Sequence, residues 1–302
     1  VGLQVKKNEN TLYKITNIVF LVAAAFFLFG IGKEAVSEGW QTIGDLKNPI
    51  LSVFLCFLCF LILHGAKLLR FYLVLMEQRM DFKRFVKVYI KTTFVSILLP
   101  FKSGELFRIY CFAHETKNVR MGFISVIVDR IFDTCVLLLF LLPYDFCVAG
   151  SISAVTVILL LIVLLVLLGC VFLYSSYSYL NRFLMIHGSS KRTIRLLYVL
   201  ENFKMCYDYV AGLLKGRFLL VLIFSCIGWI FEFVFLKITA GAFQITFGVA
   251  QFAGYISGIF GAGTAILKND YIFISAVGLL VAMLISYCCS EKCLKNRRSE
   301  NA

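Results

Sequence analysis

Proline is scarce in this chain, three residues in 302, and Asp, Glu, Lys and Arg together make up only 16% of it. With 61% apolar residues and a mean hydropathy of +0.90, that balance excludes a soluble domain of ordinary composition. Other features are missing as well. There are no ten-residue segments of alternating polarity, which excludes a transmembrane β-barrel. No glycine-rich nucleotide loop is present, so movement of a cargo would have to run downhill or follow an ion gradient. The Cys56/Cys59 spacing suits a metal or redox pair, but it has neither a second pair nor an aqueous setting, so no metal and no cofactor are expected. Most of the other cysteines sit in or at the ends of apolar runs, where a thiol behaves as a small hydrophobe. After the first apolar run, Gly30-Ile31-Gly32 gives way to Lys33-Glu34 without a small-x-small cleavage motif, so that run reads as a retained helix.

What the chain does have is long apolar runs. A membrane-spanning helix needs about 20 mostly apolar residues. Residues 15–32, 50–76, 121–142, 151–175, 217–240 and 271–290 each meet that requirement. Two further stretches, 85–115 and 243–267, are long enough to enter a membrane but are interrupted. The expected fold is therefore all-α: one integral membrane domain over residues 1–302, built as a polytopic helix bundle.

The net charge of +13 does not point to nucleic acid, because Lys and Arg gather in alternate loops. Lys6, Lys7 and Lys14 precede the first run, and further groups fall in 67–87, in 176–217 and after 290; loop 143–150 has none. The positive-inside rule then places both termini in the cytoplasm of a multi-pass protein of the cell membrane. With the loop after residue 80 inside and the loop at 143 outside, 85–120 must enter the membrane and return. The same arithmetic makes 243–267 enter and return from the other side. The two interrupted stretches are expected to be re-entrant broken helices of opposite orientation, as in an inverted repeat, a device that transporters use to build a polar site near the midplane. Residues 176–216 are expected to form a basic amphipathic segment on the cytoplasmic membrane surface.

Charge within the apolar runs marks candidate chemistry. Pro100 should end a helix that begins near Phe85, and Gly104 relaxes the chain. A second helix would restart with Ser103 as its cap and offer its N-terminal N–H groups to a phosphate. Glu105 and Arg108, three apart, share a face of that helix, and Asp129 and Asp133, four apart, share a face of the next with Arg130 beside them. Each such charge without a partner costs roughly 2.5–3.5 kcal/mol at a helix centre. Arg108 is expected to pair with an aspartate, and Glu105 with Arg130, while the planar fork of an arginine suits phosphate oxygens. An ion-pair network that only staples helices together is the competing reading. Glu232 is either a cation or proton site or the partner of an arginine from the first broken helix. His64 reads as an interfacial hydrogen-bonder, and Lys91 as a side chain reaching toward the headgroups.

The run Leu99-Pro100-Phe101-Lys102-Ser103-Gly104-Glu105-Leu106-Phe107-Arg108, followed by Asp129-Arg130-Ile131-Phe132-Asp133, resembles the transmembrane region of the lysylphosphatidylglycerol synthases and their stand-alone flippase-like relatives. Gly104, Glu105, Arg108, Asp129, Arg130 and Asp133 all match that pattern. Relatives carry a Gly-x-Gly and then a glutamate near the second break; here Gly261-Ala262-Gly263 is followed by Thr264 and Ala265. The resemblance implies translocation of a phosphate-bearing lipid, either an aminoacylated phosphatidylglycerol or a lipid-linked envelope precursor. In that reading Gly104, Glu105, Arg108, Asp129, Arg130, Asp133 and Glu232 bind the substrate. A separate lipid-modifying enzyme would supply the lipid, and the chain itself would catalyse no reaction, since the synthase activity belongs to a soluble domain expected to be absent. Two alternatives stand beside it: an integral-membrane transferase acting on a polyprenyl-linked substrate, and a non-transporting partner of an envelope biosynthetic enzyme.

Overall fold

The computed structural model describes residues 2–43, 49–78, 80–100, 102–187, 190–260 and 267–300. Among them every regular element is helical. In chain order the α-helices are α1 (Gly2–Ile43), α2 (Pro49–Leu75), α3 (Phe82–Leu98), α4 (Ser103–Thr116), α5 (Val119–Tyr144), α6 (Ala154–His187), α7 (Lys191–Gly216), α8 (Phe218–Ala242), α9 (Val249–Ile259) and α10 (Lys268–Glu300). Within these, five segments are long and apolar enough to cross a membrane: Thr11–Lys33, Ile50–Gln78, Ala154–Phe172, Phe218–Ala242 and Lys268–Cys288. Helix α5, at 26 residues, is as long as a span but carries Asp129, Arg130 and Asp133 at its centre. The chain is a multi-pass, all-helical membrane protein, and its five candidate spans match five of the six expected runs; the sixth, 121–142, is helical, but the charges of α5 keep it out of that set.

The chain divides into two units, residues 1–126 with 230–302, and residues 127–229. In the first unit α3 packs against α1, α2, α4 and α10. Its start is set by Asp81, whose carboxylate accepts the Arg84 N–H at 3.3 Å, so the helix begins at Phe82 and not at Phe85. Its buried face carries Phe85, Val88, Tyr89, Thr92, Thr93, Phe94, Val95 and Leu98. Aromatic rings fill the space around it: Phe71 lies 4.8 Å from Phe112 and 6.1 Å from Phe85 between ring centroids. Such ring pairs add directional packing in a bundle whose apolar surfaces gain little from leaving lipid.

In the second unit α6 packs against α7. Pro143 lies inside the last turn of α5, which passes into a single π turn over Asp145–Ala149 and stops at Gly150, a residue with a φ of 66°. The buried carboxylate of Asp145 accepts from the Ser153 N–H at 2.8 Å and the Thr156 hydroxyl at 2.7 Å, closing the start of α6. The described residues of the segment 176–216 are helical apart from Ser190.

Candidate functional site

The first helix break lies where Pro100 places it. Helix α3 ends at Leu98, Leu99 adopts an extended conformation, and Lys102 turns the chain with a φ of 56° and ψ of 17°. Ser103 does not cap α4. It is the first residue of the helix, and its hydroxyl donates back to the Pro100 carbonyl at 2.8 Å. The cap position belongs to Lys102, because the left-handed turn there already orients the chain into the helix.

The turn folds α4 back against α3 so tightly that only a glycine fits at position 104, where an added Cβ would overlap Ser96. That approach brings the Ser96 hydroxyl to Glu105 Oε1 at 2.9 Å. One turn on, Arg108 is 3% exposed. It donates to Thr93 Oγ1 at 2.8 Å, lies 3.6 Å from Glu105 Oε2, and stacks near the rings of Phe71 and Tyr89 at 5.2 and 5.4 Å. Glu105, Arg108 and the face of α3 thus form one buried charged cluster in the first unit.

The second cluster lies in the other unit. Arg130 reaches Asp129 at 2.7 Å and Asp133 at 3.2 Å, and Trp229 Nε1 donates to Asp133 Oδ1 at 3.3 Å. Both aspartates are buried, at 2% and 8% exposure, while the Arg130 side chain is 47% exposed. A cation is therefore presented at the surface at the midpoint of a long apolar helix, with its counter-charges beneath it.

Glu232 finds a partner, but it is not an arginine. Lys67 Nζ of α2 donates to Oε2 at 2.7 Å, and the Tyr255 hydroxyl of α9 donates to Oε1 at 3.0 Å. The flexible lysine stem spans from α2 to α8, a contact between residues too far apart in the chain for sequence spacing to reveal. His64, one turn earlier, is buried against Phe60 at 4.6 Å, and neither ring nitrogen makes a hydrogen bond among the described residues, so it is not the interfacial hydrogen-bonder expected. Lys91 likewise does not extend to the headgroups. It donates to Asn17 Oδ1 at 2.6 Å and to the Tyr13 hydroxyl at 3.3 Å, pinning α3 to α1.

The second break is seen in part. Helix α9 ends at Ile259, and Gly261-Ala262-Gly263, Thr264 and Ala265 lie outside the described residues. The end of α9 nonetheless meets the first break: Lys102 Nζ stands 5.9 Å from the ring centroid of Phe260. Lys102, Lys67 and Tyr255 are among the polar residues of these sites that sequence reasoning missed. A break residue flanking Pro100 was the available signal for Lys102; none existed for the other two.

Long apolar helices, a sharp turn between α3 and α4, and buried carboxylates and arginines inside the helices define a polytopic membrane protein. The chain belongs to the family described as Lysylphosphatidylglycerol synthase TM region, whose sequence model matches residues 15–268. No curated protein and no solved structure matches it.

Proposed function

We propose that the protein translocates a phosphate-bearing lipid between membrane leaflets, without catalysing a reaction. The observation that carries this reading is the approach of the end of α9 to the first helix break, with the Lys102 ammonium over the Phe260 ring. Paired breaks of opposite orientation are the arrangement by which transporters line a polar path. In support, each unit holds a charged station. Arg108 sits behind the first break with Glu105 as counter-charge, and Arg130 stands half exposed over Asp129 and Asp133. An arginine fork grips phosphate oxygens, and the carboxylates balance it and receive an amine where the headgroup has one. The acyl chains stay in lipid while the headgroup moves. Both termini are cytoplasmic, and the basic helical stretch 176–216 lies on the inner surface of the cell membrane. A separate enzyme that modifies the headgroup supplies the lipid.

The test is a leaflet-accessibility assay in proteoliposomes with headgroup-labelled anionic, aminoacylated and polyprenyl-phosphate lipids. Wild type should exchange one class, and Arg130→Ala should lose that exchange while remaining monodisperse. Equal exchange by the variant, or none of any class by folded wild type, overturns the reading.

A further inference from the structure

A third polar cluster lies in the first unit, where α2, α8 and α9 meet. Glu232 is 3% exposed, and both its carboxylate oxygens are engaged, one by Lys67 and one by Tyr255. The Lys67 side chain is 22% exposed. The other titratable groups packed around the pair are His64 on α2, Tyr271 on α10, whose ring meets that of Tyr255 edge-on at 6.2 Å, and Tyr89 on α3. His64 is buried, and both ring nitrogens lack a partner among the described residues, so the cluster has hydrogen-bonding capacity that its present contacts do not use.

Helices α2 and α8 are both apolar enough to span a membrane, so this cluster sits in a low-dielectric setting. There an ion pair is tolerated because its charges cancel, and adding one net charge is costly. Lys67 and Glu232 cancel. A phosphate diester arriving at the Lys67 ammonium would leave one excess negative charge unless Glu232 loses its own at the same moment.

We propose that Lys67 and Glu232 form a proton-coupled phosphate site. The Glu232 carboxylate takes up one proton from water as the phosphate of an anionic lipid replaces it on Lys67, and it gives that proton back when the phosphate leaves. The charge is zero in both states: ammonium with carboxylate, then ammonium with phosphate monoanion and neutral carboxylic acid. Tyr255 stays hydrogen-bonded to the carboxyl group throughout, and the His64 ring offers a donor to a phosphate oxygen. This deepens the lipid-translocation reading by naming the ion that moves with the lipid, and it rests on that reading.

The experiment measures proton uptake by the purified full chain in detergent, in weakly buffered solution with a pH indicator, on addition of dioctanoyl phosphatidylglycerol. Binding is followed in parallel. Wild type should take up about one proton for each lipid bound, by linkage of the two equilibria. Glu232→Gln, already neutral, should bind lipid with no uptake. Tyr255→Phe keeps both charged groups and should still take up about one proton for each lipid bound, which keeps the test decisive where the Gln variant does not fold. Dimethyl phosphate provides the same diester without acyl chains. Uptake with it and none with the lipid overturns the lipid assignment. Lipid binding without uptake overturns the coupling, and so does uptake retained in Glu232→Gln, which would place the proton on another group such as His64. Proton-linked binding in a protein that fails to exchange lipid would remove the translocation reading alone. Exchange in vesicles without proton uptake would remove only the coupling.

Discussion

Gly104 and Ser96 lie in backbone contact across the turn between α3 and α4: a Cβ built on Gly104 would fall 2.8 Å from the Ser96 nitrogen and closer still to its Cα. Because the obstructing atoms are backbone, no rotamer change can relieve the clash. The hairpin itself must open, and with it the reach of Ser96 to Glu105.

Gly104→Ala should therefore destabilise the protein by about 1–3 kcal/mol, the usual cost of forcing volume into a closed contact. Gly122→Ala should behave alike, since its Cβ would meet the Ala113 nitrogen of α4 at 2.7 Å. Thermal unfolding in detergent checks both, and Gly30→Ala, at a position with open space, is the control that should leave the midpoint unchanged.

Arg108 and Glu105 should be strongly coupled. Removing the arginine takes a cation from beside a largely buried carboxylate, so Arg108→Gln is expected to cost about 3 kcal/mol. Adding Glu105→Gln should recover part of that loss. A double-mutant cycle on unfolding free energy reads the coupling, and simple additivity would show that the pair contributes no joint stability.

How much of this was legible beforehand follows from distance along the chain. The break at Pro100 could be read because proline lacks the N–H that a helix interior requires, and the Asp129-Arg130-Asp133 cluster because its members are one to four residues apart. Residue type favours Ser103 as the cap, whereas Lys102 takes that position by adopting a left-handed backbone, which propensity does not signal. Glu232 with Lys67, and Lys91 with Asn17, pair across 165 and 74 residues, and such contacts exist only once helices are docked. Gly261-Ala262-Gly263, which mark the second break in the sequence, lie outside the described residues, and the contact of Phe260 with Lys102 depends on where α9 packs.

Cys147 offers a direct check on orientation. It is exposed at the π turn that follows α5, in the loop that the charge distribution places outside. In intact cells a membrane-impermeant maleimide should label Cys147 and spare Cys206 of α7. The reverse pattern would invert the topology.

Asp145→Ala should cost about 1–2 kcal/mol, the range for losing a helix-start acceptor, because it frees both the Ser153 N–H and the Thr156 hydroxyl. Asp145→Asn keeps one acceptor oxygen and should cost less. Comparison of the two unfolding midpoints separates the hydrogen bonds from the charge.

The pinning of α1 has a consequence for assembly. Many of its large apolar side chains, among them Ile18, Val22, Phe26 and Phe29, are exposed, so much of that surface faces lipid even where the helix touches its neighbours. Hydrophobicity is enough to insert it but gives it little reason to dock, since lipid tails solvate those side chains as well as another helix does. Docking relies on a few specific holds, chiefly the Lys91 ammonium on Asn17 and Tyr13, the stacking of Tyr13 on His114 at 3.7 Å, and Phe20 on Phe107 at 4.7 Å. Insertion and docking of α1 are thus separate events governed by different residues: a chain with Asn17 and Tyr13 replaced by leucine would still thread its first helix through the bilayer, yet leave it adrift from the rest.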